Sequence, residues 1–195
     1  MRIIDISQEI FSCRVYPGDP APEKKTLASM AEGEEYDLSA FSMCAHNGTH
    51  IDAPRHFIPG GKTIGEMPLE CFVGSCYLAR RNGDIGKDAA EEILRLAAAA
   101  GAARRILIAG DITVTEPAAE VFAAHGVWLL GNESQSVGPM DAPEKVHRVL
   151  LGAGTVLLEG IVLDSAEEGV YFLSALPLNL GALEGAPCRA YLIKR

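Results

Sequence analysis

The sequence predicts an α/β protein, and three observations carry that expectation. The first half is a series of short strand-like runs separated by Gly/Pro-rich turns. The second half alternates helical and strand periods. The 195 residues, 48% of them hydrophobic and 22% charged, suffice for one sizeable core, so residues 1–195 are read as a single domain. In order, RIIDIS, YDLSAFSMCA and FVGSCYLAR have strand character, and YPGDPAP and HFIPGGKTIGEMP are turn-rich connections. From residue 87 the period changes. KDAAEEILRLAAAAG, with Ile93, Leu94, Leu96 and Ala97 and a closing Gly101, specifies a helix, and RRILIAG a buried strand. EPAAEVFAAHG is a second helix that tolerates Pro117 in its first turn, and VWLLG a second buried strand. DAPEKVHRVLLGAG reads as a helix capped by Asp141 with Glu144 three residues on, and TVLLEGIVL as a strand. This order predicts right-handed crossovers on a mostly parallel sheet, with the β-rich half packed beside it.

Charge excludes several partners. Seventeen Lys plus Arg against 26 Asp plus Glu give a net charge of −9, which supplies no basic footprint for nucleic acid or for an anionic membrane surface. The start MRIIDISQEI has neither the basic region nor the apolar stretch of a secretory signal, and Glu159 interrupts the apolar run TVLLEGIVL. Five scattered cysteines, without a CxxC pair, read as reduced thiols in a cytoplasmic protein rather than as disulfides or a thiolate zinc site.

The chemistry concentrates in AHNGTHIDAPRHF. Three of the five histidines, His46, His50 and His56, fall within eleven residues, with Asp52 among them. Imidazole nitrogens and a carboxylate form a donor set for zinc, manganese or ferrous iron; ordinary loop hydrogen bonding is the plainer alternative. The interrupting Gly48 and Pro54 argue against a helix, so an extended segment is expected to aim His46, Gly48, His50 and Asp52 to one side with period two. Glu159 lies in an apolar strand, where an isolated charge is too costly and must be paired, liganded or protonated. His147 flanks the packed face of the preceding helix. The two fit either a buried ion pair or a metal site shared with the histidine cluster, and the cluster makes the shared site the more economical account. Asp111 reads as a turn residue, His125 as a helix C-terminal capping group and Trp128 as core.

HNGTHIDAPRHF, the upstream YPGDP, the downstream HRVLLGAGTVLLEG and the tail ALPLNLGALEGAPCRAYLI together resemble the cyclase superfamily, which includes bacterial kynurenine formamidases (arylformamidases) and isatin hydrolases. The resemblance covers nearly the whole chain. It implies a swivelling β/β/α fold, a homodimer or larger homo-oligomer, and a dinuclear centre of two divalent ions, zinc or alternatively manganese. His46, His50 and Asp52 would hold the first ion, Asp52 would bridge to the second, His147 would complete the second site and Glu159 would contact both. His56 would be the catalytic proton donor and acceptor rather than a ligand. Tyr16 stands where formamidases carry a substrate-contacting tryptophan. The implied activity is hydrolysis of an amide-type C–N bond in a small aromatic substrate, with N-formyl-L-kynurenine first. Lactam or lactone ring opening is a second reading, and a non-catalytic metal-binding protein a third. GNESQSVGP departs from the family's GxDxxSxDP, and EPAAEVFAAHG is shorter than the formamidase insertion. The ligand set is therefore better matched than the pocket.

Overall fold

Strand pairing determines where the chemistry lies. The chain, described by a computed structural model over residues 1–194, runs β1 (Arg2–Asp5), β2 (Glu23–Ala28), β3 (Leu38–Ser42), β4 (His50–Asp52), β5 (Val73–Arg80), β6 (Gly83–Ile85) and α1 (Lys87–Ala99). It continues through β7 (Arg105–Ala109), β8 (Ile112–Val114), α2 (Glu116–Ala124), β9 (Leu129–Asn132), α3 (Glu144–Gly152), β10 (Val156–Glu159), β11 (Gly169–Ser174), β12 (Gly185–Pro187) and β13 (Tyr191–Lys194). Nine strands form one mixed sheet in the order β1-β13-β11-β5-β7-β9-β10-β4-β12. The pairs β5–β7, β7–β9 and β9–β10 are parallel, as the alternating helices require. No helix among the described residues is long and apolar enough to cross a membrane.

The parallel strands are buried on both faces because each face has its own apolar cover. Ile106, Ile108, Leu130 and Leu157 pack against Ile93, Phe122 and Leu150 of the three helices. With the period of two, Leu107, Leu129 and Leu158 turn to the opposite face. There they meet Ile51, Phe72, Ala186 and Leu192, so strands near both ends of the sheet share one cluster and the sheet curls around it.

Several local expectations are corrected. The β-rich half does not pack beside the parallel sheet; β1, β4 and β5 are threaded into it, because the unpaired edges of the parallel block are completed by strands from the rest of the chain. Asp141 does not cap α3. It is exposed, and Pro143, already in helical conformation at φ −70° and ψ −21°, stands at the N-cap without a side-chain cap. Trp128 is 38% exposed rather than core, since it precedes the first paired residue of β9 and lies against the guanidinium groups of Arg104 and Arg105 at 5.2 and 5.3 Å. His125 ends α2 as expected, its Nδ1 donating to Val121 O at 2.8 Å.

Candidate metal centre

Two antiparallel registers bring the polar residues together. In β4–β10 Glu159 faces His50 and Leu157 faces Asp52, and in β4–β12 Gly185 faces Asp52. His50 and Asp52, two apart on one strand, therefore share a face with Glu159. His46 reaches the same place differently from the expected alternation: it lies in a turn, with Gly48 at φ +62°. A Cβ on Gly185 would stand 2.7 Å from the His46 ring, so the absence of a side chain there makes room for the imidazole. His147 comes from α3, and the carbonyl of the N-cap residue Pro143 accepts both its backbone N–H at 3.1 Å and its Nδ1 at 2.9 Å. His50 Nδ1 likewise donates to Gly48 O at 3.0 Å. In both rings Nε2 is directed at carboxylates, the orientation that a backbone carbonyl imposes on a metal-binding histidine.

Ligand-type atoms of His46, His50 and Asp52 lie within 4.8 Å of one another, as do those of Asp52, His147 and Glu159. Asp52 belongs to both groups. His46 Nδ1 is 2.8 Å from Asp52 Oδ1, and His50 Nε2 is 3.4 Å from Asp52 and 3.5 Å from Glu159. His147 Nε2 stands 3.2 Å from Glu159 and 3.7 Å from Asp52, and Glu159 Oε1 accepts the Val137 N–H at 2.8 Å. His56, on a short 3₁₀ turn over Pro54–His56, belongs to neither group but stacks on His46 with ring centroids 4.1 Å apart.

Burial and charge oppose each other here. Burial disfavours a charged His50, but the carboxylates of Asp52 and Glu159 outweigh it and push its pKa up to about 10. The same contest, won by Glu159 with help from Asp52, pushes His147 up to about 9. Burial raises the Asp52 carboxyl, while His46 and His50 outweigh it and hold it well below the usual carboxylate range. Burial and the Asp52 charge raise Glu159; its bonds to His147 and His50 bring it below its ordinary value. The buried acids thus demand positive charge, from protons or from cations. At His56 burial dominates over the pull of Asp52 and lowers the pKa, which leaves a neutral imidazole at neutral pH.

The donor set fits divalent metal. Among the described residues His46 Nε2 and Asp52 Oδ2 are buried without a hydrogen-bond partner, a cost of about 1–3 kcal/mol each unless something else satisfies them. The Glu184 carboxylate, 3.4 Å from His46 Nε2, makes no hydrogen bond with it. Sequence reasoning missed Glu184; only the β12–β4 pairing discloses its place. It also missed Gln135, Phe57, Cys44, Asp19 and Ser136, which line the cavity. That cavity, of about 270 Å³, is lined by His46, His50, His56, His147 and Glu159 together with Tyr16. Asp111 and Trp128 lie outside it.

The Putative cyclase family pattern matches residues 4–139. The chain belongs to this family. It is 34% identical over 196 residues to a kynurenine formamidase of Paracidovorax citrulli, a match covering 91% of this chain and 89% of that relative. A solved structure described as a potential metal-dependent hydrolase with cyclase activity superposes with a TM-score of 0.84 at 29% identity, covering 100% of this chain and 98% of the other. Isatin hydrolase A of Labrenzia aggregata, bound to benzyl benzoate, shares the fold with a TM-score of 0.83 at 20% identity, over 100% and 94% of the two chains. The α/β architecture and the hydrolase character expected of the family agree with these relatives.

Proposed function

We propose that the chain is a dinuclear metal-dependent hydrolase of arylformamidase type, cleaving N-formyl-L-kynurenine to kynurenine and formate. One observation carries the reading: two three-residue ligand groups share Asp52, and His56 stacks against the first without belonging to either. His46, His50 and Asp52 would hold one ion, and Asp52, His147 and Glu159 the other, with zinc preferred and manganese the alternative for this N/O donor set. When bound, such ions supply Lewis acidity, lowering the pKa of water from about 15.7 to about 7 and polarising a carbonyl.

The side chains perform the remaining work. His56, neutral at the cavity wall, accepts the proton released as water adds to the formyl carbon. It returns that proton to the aryl nitrogen as the C–N bond breaks, so formic acid and a neutral arylamine leave, the acid then losing its proton to solvent to give formate. The turn carrying Tyr16 sets an aromatic wall for the aryl ring, held by a hydrogen bond from Tyr16 Oη to Met140 O at 2.7 Å. Metal analysis of protein purified without chelator, paired with turnover of N-formylkynurenine and of isatin, tests the reading. Two ions per chain and formamide cleavage are expected. Fewer than one ion sinks the dinuclear centre, turnover of isatin alone transfers the chain to lactam opening, and metal without any turnover leaves a binding protein.

The hairpin β2–β3 supports a homodimer. Among the described residues its strands pair only with each other, and Leu27, Met30, Tyr36, Leu38 and Phe41 on it are exposed. A two-stranded hairpin is marginal alone in water, and a second copy of the chain would cover this apolar surface. Light scattering should give a dimer that Phe41→Asp dissociates; a monomeric parent protein would remove the reading. Residues 1–195 are read as one domain because a single sheet takes strands from both halves. The five free thiols support a cytoplasmic location.

A further inference from the structure

One charged side chain on the cavity wall has no part in the ligand groups or in proton transfer. Among the described residues two carboxylates line the cavity, Glu159 and Asp19, and no lysine or arginine does. Glu159 is enclosed by His50, His147 and the Val137 N–H. Asp19 is half-buried, and among the described residues its carboxylate accepts only the Cys44 thiol, Sγ to Oδ2 3.6 Å, a weak donor. It enters no ion pair among the described residues.

The place of Asp19 is defined by the backbone. Tyr16–Pro17–Gly18–Asp19 closes a turn through the Asp19 N–H to Tyr16 O, 3.0 Å, with Gly18 at φ +99°. Proline second and a positive-φ glycine third are the pattern of a type II turn. The turn is tied down at the Tyr16 hydroxyl, and both Tyr16 and Asp19 line the cavity from it. Two bound dications would exceed the charge of Asp52 and Glu159 and leave the metal site positive. Asp19 supplies the opposite polarity on the wall. A substrate with a protonated amino group would be repelled by the metal site and held at Asp19, which orients it.

We propose that Asp19 receives the α-ammonium group of the substrate and thereby selects aryl formamides that carry an amino-acid side chain over neutral aryl amides and lactams. This deepens the hydrolase reading above and rests on it. The test compares the wild-type protein with Asp19→Asn on N-formylkynurenine and on formanilide, which lacks the amino group. Losing a charge-assisted contact should lower the ratio of the two kcat/KM values about tenfold or more, chiefly through KM for N-formylkynurenine, with partial recovery in Asp19→Glu. An unchanged ratio, from parallel losses or from none, overturns the assignment. Calorimetric binding of kynurenine and of its des-amino analogue separates the two inferences. If the wild type hydrolyses neither formamide, the hydrolase reading falls, and Asp19 still stands if Asp19→Asn weakens kynurenine alone and falls if both ligands bind it as they bind the wild type.

Discussion

The two ligand groups are built in opposite ways. His46, His50 and Asp52 come from one short stretch of chain, where a turn at Gly48 and the period of a strand suffice to converge them. Asp52, His147 and Glu159 come from β4, α3 and β10, and converge only because β4 pairs antiparallel with β10 in a register that opposes His50 to Glu159. A one-residue slip of that register would turn Glu159 to the other face and leave the first group nearly intact. The first group is thus a property of local conformation and the second a property of the sheet.

Asp52→Asn should break both groups at once. Loss of most bound metal and a fall in turnover of at least about 10⁴-fold are expected, because the Lewis-acid contribution amounts to several kcal/mol. Metal analysis of His46→Ala beside His147→Ala sharpens the contrast, since each should lose one ion and keep the other. His56→Ala should lower turnover by about 10²–10⁴-fold while metal content is unchanged; loss of metal in that variant would make His56 a ligand.

Two glycines separate the groups by stability. A Cβ at Gly160, φ +66°, would lie 2.3 Å from Gly48 O, whereas at Gly48, φ +62°, the nearest neighbour is Cys13 Cβ at 3.0 Å. Urea unfolding should show Gly160→Ala costing about 2–4 kcal/mol and Gly48→Ala about 1–2 kcal/mol, the first having backbone in its way and the second a side chain.

In metal-free protein the raised pKa values of His50 and His147 have a definite sign. Each folded-state value, about 10 and about 9, lies above the ordinary histidine value of 6.5, so the contribution is full below that value. It is lost as pH rises through about 9 and then about 10. The thermal midpoint of metal-free protein should therefore fall across this window, and metal-loaded protein should fall less. Asp141→Ala, at a residue that caps nothing, should change stability by less than about 0.5 kcal/mol.

Much of this was legible in the chain. The parallel strands are uninterrupted apolar runs, so β7, β9 and β10 were evident, and Glu159 was conspicuous because a charge in such a run demands a partner. His50 and Asp52 followed from strand alternation. Trp128 was misread because an apolar neighbourhood in sequence does not say which residue is the first to pair. The motifs around Asp19, Glu184 and Gly185 were visible, but not the place of these residues in the site, which depends on what stands across a cavity or a strand pair.

The sequence by itself determined the donor chemistry, the alternation of helices and strands, and the His-rich segment, because these depend on residue type and short-range period. Tertiary structure alone decided that Asp52 belongs to both three-residue groups, that His56 stacks on His46 without belonging to either, and that Asp19 lines the same cavity. Those facts depend on register and on the start of α3, which are set by burying the sheet on both faces, a condition no single segment can satisfy or reveal.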